Sequence, residues 1–111
     1  MADLPRRIKR ALRELAEAAY EIELGRALAG VRQEFARWEG GDITAFELAE
    51  VIHQFHQGPS RDLYNQYTSG MLNVVVAHAI VTGVLDRERV SPEVLEHLGP
   101  ALTFYESQES A

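Results

Sequence analysis

The chain contains no cysteine, which excludes a disulfide scaffold, a thiolate zinc site, an iron–sulfur cluster and cysteine-nucleophile chemistry. It also lacks any uncharged apolar run near the ~18 residues that a spanning helix requires. The segment Met1-Ala2-Asp3-Leu4-Pro5-Arg6-Arg7 has no apolar core of the secretory-signal kind. A cytoplasmic protein is the expectation. Proline is scarce, at four residues, and none falls between Pro5 and Pro59. Basic residues are outnumbered, eleven against seventeen acids, for a net charge of −6.

That deficit is uneven. Residues 1–13 hold five of the basic residues (Arg6, Arg7, Lys9, Arg10, Arg13) and one acid, Asp3, or +4, leaving −10 on the remainder. So acidic a body repels phosphate backbones, and nucleic acid is not an expected partner. What is present is 111 residues, 46% of them hydrophobic. Such a chain can bury roughly two-thirds of its unfolded surface.

Helix formers fill the long proline-free stretch. One apolar stripe is Ile8, Leu12, Leu15, Ala19 and Ile22; a second is Tyr20, Leu24, Leu28, Val31, Phe35 and Trp38. Both have the alternating three- and four-residue spacing of one helix face or a short coiled-coil seam. The face in use changes near residues 20–24, by burial on both sides or by a bend at Gly25. Arg10–Glu14 and Arg13–Glu17 stand at i,i+4. Glu39-Gly40-Gly41 reads as the helix stop.

Thr44-Ala45-Phe46-Glu47 matches a capping box, with Ile43 and Leu48 at the positions of a hydrophobic staple. A second helix is expected from Ala45 to Gln57, ended by Gly58-Pro59, and a short third one from Arg61 to Thr68 with Ser60 as its cap. The apolar run 71–85 reads as a buried helix rather than a strand, on length and context. Ala79 and Gly83 are spaced to let another helix approach. Ser91-Pro92-Glu93 opens a last helix, which Gly99-Pro100 is expected to close at Leu98. The sum is an all-α fold of about five helices, a long N-terminal helix packed on a small helical bundle. Residues 1–105 form a single helical domain, and residues 106–111 a disordered tail.

A straight helix over residues 6–38 would span about 50 Å, against a diameter of roughly 34 Å for a compact domain of this size. An overhang carrying Ile8, Leu12 and Leu15 needs a partner, most simply a second copy of the chain. Arg6 and Arg10 flank that stripe and suit an anionic surface or an acidic patch. Arg61, Tyr64 and Tyr67 are amphipathic side chains of the kind that populate interaction surfaces, or equally the edge of a core.

One group of residues has the spacing for chemistry. Glu47, Glu50, His53 and His56 recur every third residue, and three neighbours, Glu50, His53 and His56, share a face. Glu50-x-x-His53 matches the Glu-x-x-His unit of carboxylate-bridged di-metal bundles, with Glu14, Glu17 and Glu21 as further donors. Carboxylate with imidazole suits Fe, Mn or Zn. The alternative is that His53 and His56 are half-buried structural histidines, that His78 belongs to the core and that His97 lies on the surface. Nucleophile elbows, phosphate loops and calcium loops are absent. The helix following Ser91 carries Glu93 and Glu96 without Arg or Lys, which argues against groove binding. The expectation is therefore a non-enzymatic, acidic interaction module without cofactor: an adaptor, an inhibitor or antitoxin-like partner, or an assembly subunit, self-associating as a homodimer. The competing reading is a metal-carboxylate protein with redox or hydrolytic activity.

Overall fold

The computed structural model describes residues 5–109. The fold is all-α, with no strand among the described residues. Helix α1 (Arg6–Glu39) is a single helix of 34 residues, unbroken at Gly25 and Gly30. It stops where Gly41 adopts φ 82°. The Gly41 N–H donates to Trp38 O at 3.0 Å and the Asp42 N–H to Arg37 O at 2.8 Å, the paired bonds of a Schellman motif.

Helix α2 (Ala45–Phe55) opens on the expected capping box. The Glu47 N–H donates to Thr44 Oγ1 and the Thr44 N–H to Glu47 Oε1, both at 3.0 Å. Gly58-Pro59 does not end it. A π-helical turn, His56–Ser60, carries the chain directly into α3 (Arg61–Tyr67). Proline removes a backbone donor and collides with the carbonyl four residues back in an α-helix. The wider turn, already offset from the i→i−4 ladder, takes it without a break. Ser60 therefore sits inside a helical run and is not a cap. Counting this run as one helix gives five among the described residues; the expected five counted the run as two helices and did not include the helix that begins at Gly99.

Helix α4 (Leu72–Val81) is the buried helix anticipated for the apolar run. Gly83 is not a contact point on it. At φ 82° it lies past the helix end, and the Leu85 N–H returns to Ala79 O at 3.0 Å. A 3₁₀ turn at Arg87–Arg89, capped by Asp86, leads to α5 (Pro92–His97). Ser91 Oγ accepts from the Val94 N–H at 3.3 Å, with Pro92 in the first turn. Gly99-Pro100, expected as a stop, is instead the opening turn of α6 (Gly99–Glu109). A proline there lacks only a donor that would have gone unused. Residues 106–109, expected in a disordered tail, are its last turn; residues 110–111 lie outside the described range.

The chain divides into two compact units. The first combines residues up to Tyr20 with those from Tyr67 onward. Its core is formed by Ile8, Leu12, Ala16 and Ala19 of α1, Val75, Val76, Ala77, Ala79 and Ile80 of α4, and Leu85, Val90, Val94, Leu98 and Leu102. Helix α6 packs on α4 and α5. Alanines at positions 16, 19, 77 and 79 leave room for close packing, and the branched side chains fill it. The second unit, Glu21–Gln66, holds the C-terminal half of α1, the Schellman turn, α2 and most of α3. Its buried hydrophobic residues are Ile43 and Leu48, the two staple positions.

Candidate interaction surfaces

The Glu50, His53 and His56 side chains of α2 are not gathered into a metal-binding group. All three residues are exposed, and Glu50 Oε1 accepts from Gln54 Nε2 at 2.7 Å. His56 already belongs to the π turn. Among the described residues no three His, Asp or Glu side chains come together in a group able to hold an ion. The alternative expectation for the pair is corrected too, since His53 and His56 are exposed rather than half-buried. His78 is half-buried, edge-on to Tyr105 at 5.1 Å and 73°. His97 Nε2 lies 3.2 Å from Asn73 Oδ1.

The stripe expected to face a partner is covered by its own chain. Ile8 and Leu12 are 4% and 1% exposed, and Leu15 packs against the same cluster. Ala16 replaces Ile22 in the buried set, and Ile22 is exposed. The valine-rich α4 supplies the apolar surface that an overhanging helix would otherwise seek from a second molecule.

Arg6 and Arg10 are exposed on a row with Lys9 and Arg13. With Glu14 and Glu17 these residues line an open basin. The i,i+4 pairs Arg10–Glu14 and Arg13–Glu17 do not close as ion pairs. The contact that does form is distant in sequence: Arg7 Nε donates to Glu93 Oε1 at 2.9 Å and Arg7 Nη2 to Glu93 Oε2 at 2.6 Å. This two-pronged bond, with the charge attraction across it, raises the Arg7 pKa. The same bond holds the Glu93 carboxyl below its ordinary value.

Of the three amphipathic residues near the Gly58-Pro59 turn, Arg61 and Tyr64 are exposed. Tyr67 is half-buried and stacks on Tyr20, ring centroids 5.0 Å apart and 6° from parallel.

The second stripe of α1, which has the spacing of a helix face or a coiled-coil seam, carries several exposed apolar side chains. Leu28, Phe35 and Trp38 are 47%, 38% and 42% exposed. Phe35 and Trp38 meet edge to face at 6.5 Å. On α2, Ile52 and Phe46 are also open to solvent. The signal was the spacing itself, which runs apolar to the end of α1.

The chain matches no family model, no curated protein and no solved structure. No described helix is long and apolar enough to cross a membrane.

Proposed function

We propose that this protein is a helical protein–protein interaction module that self-associates through the second unit. The observation that supports this reading is the exposure of Leu28, Phe35 and Trp38 along one stripe of α1. Leu24, Leu28, Val31, Phe35 and Trp38 follow one another at intervals of 4, 3, 4 and 3 residues, the pattern of a coiled-coil seam. Such a stripe is its own complement under two-fold symmetry, so a second copy covers it without any new chemistry. Exposed aromatic and leucine side chains grouped in this way are characteristic of contact surfaces. The dimer then serves as an adaptor or as a subunit of a larger assembly.

Sedimentation equilibrium from micromolar to submillimolar concentration tests the proposal. The mass is expected to rise from one chain to two. Leu28→Glu and Phe35→Glu should hold the protein at one chain with its helical circular dichroism unchanged. Trp38 is the chain's single tryptophan, so its emission should shift to shorter wavelength as the dimer forms. A single-chain mass at every concentration, with constant Trp38 emission, refutes self-association.

A further inference from the structure

The first unit contains a cleft of about 410 Å³ between the start of α1 and the residues that lead into α4. Its apolar wall is formed by Met71, Leu72 and Val74, over the almost fully buried Leu12. Lys9 and Arg13 line it as well. The volume lies in the lower part of the range of small-molecule pockets, about 300–1,000 Å³. Apolar walls with a few convergent polar groups are the composition such pockets share.

The charges here are of one sign. Lys9 and Arg13 are one turn apart on the same side of α1, an arrangement that is destabilising by itself. Neither forms an ion pair among the described residues. Glu17, four residues beyond Arg13, lines the neighbouring basin but lies outside this cleft. That basin is of mixed sign, with Arg6 and Arg10 beside Glu14 and Glu17, whereas the cleft itself is lined by Lys9 and Arg13 without an acid. An anion placed between Lys9 and Arg13 relieves their repulsion and gains charge-assisted hydrogen bonds. A purely inorganic anion would leave the apolar walls wet, and a neutral apolar molecule would leave the two cations unmatched.

We infer that the cleft binds an amphiphilic carboxylate, with its head between Lys9 and Arg13 and its alkyl tail against Met71, Leu72 and Val74. This site is separate from the stripe proposed for self-association and does not depend on it.

The test is a titration of the full chain, followed by amide ¹H–¹⁵N chemical shifts, with hexanoate, octanoate and decanoate below their micelle concentrations. Decanol and inorganic phosphate serve as single-property controls. Saturable shifts are expected at Lys9, Arg13 and Gly70–Val74, with affinity rising about fourfold for each added methylene. Decanol should bind about tenfold more weakly than decanoate, and phosphate should not saturate. The exposed-site variant Lys9→Gln/Arg13→Gln should weaken decanoate about tenfold with its thermal midpoint retained. Met71→Glu, which sets an acid in the cleft wall, should abolish binding in the folded protein. Equal affinity for decanol and decanoate overturns the assignment. So does an affinity independent of chain length, or a set of shifts centred on Leu28, Phe35 and Trp38.

Discussion

Tyr20 and Tyr67 stack face to face, 5.0 Å between ring centroids and 6° from parallel, joining two positions far apart in the sequence within one unit. Tyr67 was expected on an interaction surface beside Tyr64; the stack makes it structural. Tyr67→Ala should therefore lower stability, whereas Tyr64→Ala, at a more exposed position, should change it much less. A double-mutant cycle over Tyr20→Ala and Tyr67→Ala by urea unfolding should return a coupling of about 0.5–1.5 kcal/mol. A coupling of zero would show that the two rings contribute independently.

The Arg7–Glu93 pair sets a direction for the pH dependence. Glu93 titrates lower in the folded chain than unfolded. Its contribution is thus complete above the unfolded value of about 4.3 and is lost as pH falls through the folded one. Arg7 is shifted upward, so its share disappears only in strong alkali. Between pH 6 and pH 3 the thermal midpoint of the parent should fall more than that of Glu93→Gln, and the gap should narrow in 1 M salt. Both groups are exposed, so screening keeps the effect small. Parallel midpoint curves for the two proteins would remove the pair from the pH response.

Gly25 and Gly30 lie inside α1, and a Cβ added at either would meet nothing within 4 Å. Each Gly→Ala substitution should stabilise the helix by about 0.4–1 kcal/mol. The combined variant should melt several degrees higher by circular dichroism, roughly 4–8 °C per kcal/mol for a domain of this size. A lower midpoint would indicate that α1 bends in solution at one of these glycines.

The reciprocal Thr44–Glu47 bonds predict a specific non-additivity. Thr44→Ala should cost about 1 kcal/mol. After it, Glu47→Ala should cost less than it does in the parent, because half of the box is already gone. Chemical unfolding of the two single variants and the double variant provides the comparison. Strict additivity would mean that the two bonds act separately.

The caps at Thr44 and Ser91 and the stop at Gly41 were legible in the sequence because every participant lies within a few residues. The Gly-Pro steps were not. Gly58-Pro59 and Gly99-Pro100 both read as helix ends, yet one is absorbed in a π turn and the other opens α6. Local sequence shows that an α ladder is interrupted there, but not whether the chain resumes a helix beyond. Donors around the candidate metal face were illegible for a related reason: spacing along α2 aligns Glu50, His53 and His56, but only packing decides which further donors come near, and none joins them in a group of three among the described residues.

By itself, the sequence determined the all-α class, the helical character of residues 6–38, the caps at Thr44 and Ser91 and the uneven charge, since each follows from periodicity, propensity or composition. Tertiary structure decided which stripe of α1 is covered. Ile8–Leu12 and Leu28–Phe35 are equally apolar along the chain. The first joins the valine-rich α4 in one core, while Leu28, Phe35 and Trp38 of the second remain exposed. Packing also paired Arg7 with Glu93 rather than Arg10 with Glu14, and it formed the cleft between Lys9, Arg13 and α4. Burial and long-range pairing depend on where distant segments meet, and residue spacing does not encode that.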